Sequence, residues 1–164
     1  GSNNVGVGRK SLTENTTGAN NTALGTSALF SNTTGSDNTS VGFAALDVNT
    51  TASNNTAVGS AALGANTTGG SNSAVGKDAL LVNTTGDANT AVGAYALDAN
   101  TTASNNTALG YLALTTNVTG SNNTGIGKDS LRDGTGDDNT GCGAFTLRAN
   151  STGQYNTPQL EEVL

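Results

Sequence analysis

The chain alternates short apolar segments with polar turns, and the whole pattern repeats every 17 residues. In the copy that begins at Asn55, the first segment reads Asn-Thr-Ala-Val-Gly, the second reads Ala-Ala-Leu, and Asn-Thr-Thr-Gly follows. The residue before Gly is aliphatic or Cys in nine copies, with a last step of 16 residues: Val7, Leu24, Val41, Val58, Val75, Val92, Leu109, Ile126 and Cys142. A Leu follows each of these glycines by four residues: Leu12, Leu29, Leu46, Leu63, Leu80, Leu97, Leu114, Leu131 and Leu147. Such strict periodicity indicates a repeat protein.

A helix of ten or more residues has no room in a unit that Gly interrupts twice, so the pattern predicts short strands joined by tight turns. Stacked in register, these units form an all-β fold, a β-solenoid (β-roll or β-helix) of about nine 17-residue coils over residues 1–157. Thr157 and Pro158 resemble a helix start, which predicts a short helical tail over 158–164 that caps the stack or links to a missing C-terminal domain. Residues 1–12 align with 120–131, so we expect a segment of a longer protein.

Stacking identical coils places identical residues in columns. We predict that the aliphatic column and the Leu column form the core, that Cys142 is a small core hydrophobe, and that the Gly columns supply positive φ or close backbone approach. Leu63→Asp and Val58→Asp should then both disrupt stacking. For the column Asn32, Asn49, Asn66, Asn83 and Asn100, two interpretations stay open: a buried ladder of amides, or residues that merely favour turns.

Each coil offers few large apolar side chains, so a single chain has a thin core. Association through one uniform face would bury more surface, and we predict a homotrimer, with a monomeric solenoid as the alternative. A longer period is also present, because Thr50–Ala57 recurs at 101–108 and Gly76-Lys77-Asp78 recurs at 127–129, both three coils apart.

Composition and charge remove several function classes. The formal charge of −6 comes from 12 acids and 6 bases without a basic cluster, which argues against nucleic-acid binding. The acids fall at several phases of the repeat, unlike a calcium β-roll. The chain has no His and one Cys, and pairs such as Asp129 with Asp133 or Asp137 with Asp138 look like solvated turn residues. We therefore predict no enzyme, no catalytic, cofactor-binding or metal-binding residue, no cofactor and no membrane insertion.

The recurring Asn-Thr-Ala-Val-Gly-x-x-Ala-Leu-x-x-Asn-Thr-Thr-Gly resembles the repeats of bacteriophage tail-fibre shafts and related bacterial surface proteins. It is similar, more distantly, to the head repeats of trimeric autotransporter adhesins, whose Asn-Ser-Val-Ala-Ile-Gly parallels residues 55–59. The resemblance covers residues 1 to about 157 and implies a trimeric, β-rich fibre at the cell surface, outside the cell or on a virion. The 17-residue unit is longer than the adhesin coil, so that fold does not transfer in detail.

These observations predict a non-catalytic structural protein, a fibre shaft or adhesin stalk segment that reaches a cell-surface receptor through a missing tip domain. An ice-binding β-solenoid is the alternative from another class, because stacked Thr residues could form a regular array. An extracellular filament subunit that associates end to end is a third, since uncapped coils expose strand edges.

Overall fold

The structure is a computed structural model that describes residues 1–158, and within them the fold is a parallel β-solenoid without helices. Nine three-residue strands form one sheet in sequence order, and each pairs in parallel with the next at a spacing of one repeat. The predicted helical tail over 158–164 lies outside the described residues, apart from Pro158. The strands are β1 Val5–Val7, β2 Thr22–Leu24, β3 Thr39–Val41, β4 Thr56–Val58, β5 Ser73–Val75, β6 Thr90–Val92, β7 Thr107–Leu109, β8 Thr124–Ile126 and β9 Thr140–Cys142.

The strands point their middle residue into the solenoid and their two outer residues away from it. In β4, Ala57 is fully buried whereas Thr56 and Val58 are only partly covered. The prediction that the aliphatic column belongs to the core is therefore wrong, and so is the assignment of Cys142, which is exposed. The reason is the two-residue period of a strand, which places the residues on either side of a buried one on the opposite face.

The core consists of three inward columns: the middle strand residue, the residue before Leu, and Leu itself. Leu63 and its equivalents are almost completely buried from Leu29 to Leu131. The Leu column adopts a left-handed backbone, with φ near 51° at Leu63. The sequence predicts positive φ for Gly only, and Gly59 does have a φ of 141°. A Cβ on Gly59 would also lie 2.4 Å from the Gly76 carbonyl oxygen, so this column combines both predicted reasons for Gly.

The Asn column of the corner is a buried ladder, which decides between the two interpretations. Asn66 donates through Nδ2 to Asn49 Oδ1 at 3.0 Å and to the Gly69 carbonyl at 2.9 Å. Its own Oδ1 accepts from Asn83 Nδ2 at 2.9 Å. The side chain is fully buried, so these bonds satisfy an amide that water cannot reach.

A second buried Asn ladder precedes each strand, and the sequence analysis missed it. Asn55 Oδ1 accepts from the Asn72 backbone N–H at 2.9 Å, and its Nδ2 donates to the Gly69 carbonyl at 3.0 Å. The two ladders thus converge on one carbonyl oxygen in each coil. The signal was present in the sequence as an unbroken column: Asn4, Asn21, Asn38, Asn55, Asn72, Asn89, Asn106, Asn123 and Asn139.

The first ladder is interrupted where the chain loses one residue. The short corner Gly134–Gly136 has no Asn, so Asn117 Oδ1 accepts from the Gly120 backbone N–H at 3.0 Å instead of from a next Asn. Asn100 Oδ1 is buried and has no partner within residues 1–158. The second ladder and the strand pairing continue across this point.

Candidate interaction face

The outer residues of the strands form one continuous surface, which we call the strand face. It consists of a Thr column and an aliphatic column: Val5, Thr22, Thr39, Thr56, Ser73, Thr90, Thr107, Thr124 and Thr140, and Val7, Leu24, Val41, Val58, Val75, Val92, Leu109, Ile126 and Cys142. Several of the aliphatic side chains are strongly exposed, with Leu24 at 48% and Leu109 at 46%. A row of aliphatic side chains facing water is the feature of this molecule that most needs a functional explanation.

The neighbouring exposed column shows what an unconstrained surface looks like in this chain. It lies two residues after the aliphatic column and holds, in order, Arg9, Thr26, Phe43, Ser60, Lys77, Ala94, Tyr111, Lys128 and Ala144. Because this column varies in charge, size and polarity, duplication of the repeat does not by itself preserve surface residues. The strand face keeps its uncharged character in the same copies.

Strand propensity explains only part of this uniformity. Val, Ile and Thr are β-branched and favour strands. Leu24, Leu109 and Cys142 are not β-branched, yet they occupy the aliphatic column. The property kept in this column is apolar character, and burial against another surface would account for it.

The Thr residues of the corner have a different role from those of the strand face. Thr67 Oγ1 donates to the Thr84 carbonyl at 3.0 Å, and most of its equivalents donate to the next coil in the same way. The following Thr68 is exposed. The corner hydroxyls of the Thr67 column therefore help to hold the stack together, whereas the Thr column of the strand face points away from the core.

The charged residues lie beside the strand face and not on it. Asp37, Asp87, Asp137 and Asp138 precede their strands and form what we call the acidic flank. Arg9, Lys10, Lys77 and Lys128 follow their strands and form the basic flank. Lys77 Nζ contacts the Tyr95 hydroxyl at 2.6 Å and Asp78 at 3.0 Å. These two hydrogen bonds raise the pKa of Lys77 above its ordinary value, and the bond to Tyr95 has the larger effect.

The acidic residues that the sequence places in pairs form ion pairs or hydrogen bonds within the solenoid. Asp129 is buried, with Arg132 at 3.5 Å and Lys128 at 3.8 Å, so its interpretation as a solvated turn residue is wrong. Burial forces this carboxylate to pair with cations. Asp137 accepts from the Ser121 backbone N–H at 2.7 Å, and Asp138 accepts from Asn122 Nδ2 at 3.0 Å. Residues 1–158 contain no group of three or more metal-binding side chains.

Another surface feature is an open groove of about 630 Å³ on the side formed by the residues after the Leu column. It is lined by Leu81, Val82, Asp98, Ala99, Thr101, Thr115, Thr116 and Val118. Asp98 accepts a hydrogen bond from the Thr115 hydroxyl within it. The groove crosses only a few coils, whereas the strand face runs the length of the stack. No helix in the described part of the chain is long and apolar enough to cross a bilayer.

Asp47 carries the clearest electrostatic cost on the solenoid. Burial raises the pKa of its carboxyl, nearby Lys10 opposes part of this shift, and Oδ1 has no partner within residues 1–158. A raised folded-state pKa means that ionisation destabilises the fold as pH rises through the carboxyl range. We expect Asp47→Asn to raise the melting temperature at neutral pH and to have little effect below about pH 3. Asp37→Asn is the control, because Asp37 is exposed. If Asp47→Asn raised the melting temperature equally at both pH values, ionisation of Asp47 would not be the source of the cost.

Comparison of the chain with protein-family models, with curated proteins and with solved structures found no match. The class that the structure defines is that of the parallel β-solenoids, with one uncharged, partly aliphatic face along the stack.

Proposed function

We propose that this chain is a non-catalytic shaft segment of an extracellular or virion-borne fibre, which holds another element at a distance. The observation that carries the proposal is the unbroken stacking of the coils. Each strand pairs with the next in the same register, and Asn and Thr side chains add further bonds between coils. A linear array in which every unit bonds its neighbours suits a stiff spacer.

Small-angle scattering on a lengthened chain tests the shaft. Duplicating residues 56–106 adds three complete coils without disturbing the phase of the columns. At about 4.8 Å per coil, the longest dimension should grow by roughly 14 Å while the cross-section stays constant. A thicker particle of unchanged length would contradict a linear shaft.

We further propose that the shaft is a homotrimer that buries the strand face. Two features support this partner. The strand face is uncharged and carries an aliphatic column along the described stack, and the core of one chain consists largely of Ala and a single Leu per coil. Burial of the aliphatic column would add apolar surface that the isolated chain leaves in water.

Light scattering tests the assembly. The parent chain should have the mass of three chains, and Val58→Asp with Val75→Asp should reduce it to one chain while the circular dichroism spectrum stays β-rich. Ser60→Asp is the matched control, because Ser60 is exposed beside the strand face. It belongs to the column in which Lys77 and Lys128 already place a charge. A parent of single-chain mass, or a Ser60→Asp effect equal to that of the valine pair, would contradict the proposed interface.

Ice binding is the second candidate, and one observation favours it. The strand face presents two straight columns of Thr and aliphatic residues at strand spacing, without charge, interrupted in the Thr column by Val5 and Ser73. The strand face could bind ice only if it were not covered by other copies of the chain. A monomeric parent that inhibits ice recrystallisation, and a Thr56→Lys variant that does not, would favour this function over the trimer.

A further inference from the structure

The two flanks of the strand face carry opposite charge. Within residues 1–158, the columns of the acidic flank hold four carboxylates and no Lys or Arg. The exposed charges of the basic flank are cationic: Lys77 and Lys128 have side chains 58% and 56% exposed. The acids next to these lysines, Asp78 and Asp129, are largely covered, at 16% and 5%. A second molecule that lies on the strand face therefore meets a negative edge on one side and a positive edge on the other.

The opposite charges also match in height along the stack. Asp87 follows Lys77 by ten residues and Asp137 follows Lys128 by nine, so each pair belongs to a single turn of the solenoid. With a rise of about 4.8 Å per turn, the two members of a pair differ in height by roughly 3 Å. The second pair repeats the first about three coils further along, because Lys128 lies 51 residues after Lys77 and Asp137 lies 50 residues after Asp87.

The lysines can make such contacts without losing their own. Lys77 uses two of its three ammonium donors on Tyr95 and Asp78, which leaves one free. Asp87 accepts from the Gly70 backbone N–H through Oδ1 at 2.7 Å, and its second oxygen remains available. An exposed pair of this kind contributes little affinity but discriminates between orientations.

Symmetry decides which orientation uses these charges. When parallel copies pack around an axis that runs along the stack, as in a homotrimer, the acidic flank of each chain lies beside the basic flank of its neighbour. In an antiparallel pair, acidic faces acidic and basic faces basic. A shift by one coil from chain to chain would leave the ring of three chains open, because the shifts add up around the axis.

We propose that a second copy of this chain docks on the strand face in parallel and in the same coil register, with Lys77 opposite its partner's Asp87 and Lys128 opposite its partner's Asp137. This inference rests on the self-association in the proposed function and adds its direction and register. The aliphatic column supplies the attraction, the flanks disfavour the antiparallel arrangement, and closure of the ring excludes a shift between coils.

Thiol cross-linking measures direction, because Cys142 lies on the strand face and is exposed. The experiment mixes the parent chain with a Val7→Cys, Cys142→Val chain that carries a distinguishing tag, allows subunits to exchange, and treats the sample with a flexible bifunctional maleimide, because packed sheets lie too far apart for a direct disulfide. Parallel in-register docking predicts cross-links of Cys142 to Cys142, and of position 7 to position 7, including dimers of tagged with tagged chains. Antiparallel docking places position 7 opposite position 142 and predicts mixed cross-links, which would overturn the inference.

Charge reversal tests the flanks. Lys77→Asp with Lys128→Asp should weaken association roughly tenfold or more at low salt, because both flanks are then acidic, with a smaller effect at high salt. Adding Asp87→Lys and Asp137→Lys restores opposite flanks and should return the dissociation constant to within about threefold of the parent. Failure of this rescue, with circular dichroism unchanged, would overturn the pairing.

The outcomes distinguish failure of the parallel register from failure of the homotrimer. A parent that sediments as a single chain overturns both the homotrimer and its register. An assembled parent with mixed cross-links overturns both the register and the homotrimer but leaves self-association through the strand face standing. An assembled parent whose association is insensitive to the reversed lysines overturns the charge pairing alone. An assembled parent with position-matched cross-links and a successful rescue supports both.

Discussion

Leu63→Asp is expected to abolish cooperative folding of the solenoid. Leu63 is fully buried between equivalent leucines of the coils on either side. Loss of such a side chain alone costs about 2–5 kcal/mol, and an unpaired buried carboxylate adds several more. Because typical domains are stable by only about 5–15 kcal/mol, we expect the thermal transition to disappear or to fall by more than about 15 °C.

Val58→Asp is the informative partner to this variant. Val58 lies five residues earlier in the same coil and points away from the core, so the carboxylate stays in water within a single chain. We expect its β-type circular dichroism spectrum to persist while the assembly weakens. Comparable losses of secondary structure in both variants, or a Leu63→Asp protein that melts within a degree or so of the parent, would contradict the inward and outward assignments.

Asn66→Asp is expected to be nearly as damaging, although it changes one group of similar size. The amide nitrogen of Asn66 donates two hydrogen bonds, at 3.0 Å to Asn49 and at 2.9 Å to the Gly69 carbonyl. A carboxylate cannot donate, so oxygen would face oxygen at both contacts in a buried site. We expect a loss of about 3–5 kcal/mol in the free energy of unfolding, measured by denaturant titration.

The pH dependence of this variant provides an internal check. Burial should raise the pKa of the introduced carboxyl, and its neutral form can donate one hydrogen bond. The penalty should therefore be complete above the raised pKa and smaller below it. Asn54→Asp is the matched control, because Asn54 is exposed and its column already contains Asp37 and Asp138. A loss for Asn54→Asp equal to that for Asn66→Asp would mean that the buried ladder is not the cause.

The period, the strand positions and the buried Leu column could be predicted from the sequence, because identical residues at fixed spacing must stack. The side of the aliphatic column could not. With Thr, Ala and Val in one three-residue strand, the size of Val favours its burial, but the structure buries Ala57 instead. Leu63 enters the core from a left-handed backbone that a Leu rarely adopts, with φ near 51°. The core positions beside it are filled by the small residues Ala57 and Ala62.

The candidate face escaped prediction for the same reason. The sequence predicts a uniform face and an array of stacked Thr residues, but not which residues form the face. Once Val58 is assigned to the interior, the aliphatic half of the strand face is missing. The charge flanks were equally hidden, since Lys77 and Asp87 are ten residues apart in sequence and become two edges of one surface only when the coil closes. How each coil closes depends on the backbone geometry of its turns, and the spacing of residues in the sequence does not determine that geometry.

The interrupted amide ladder divides the solenoid into two hydrogen-bonded parts. Up to Asn100 the corner amides form one chain of dipoles, each polarised by the next, whereas Asn117 turns back to its own corner at Gly120. Hydrogen bonding between corner amides therefore does not continue from one part of the stack to the next. Under mechanical force, we expect the coils after Asn117 to detach together, whereas the coils before Asn117 remain stacked on one another.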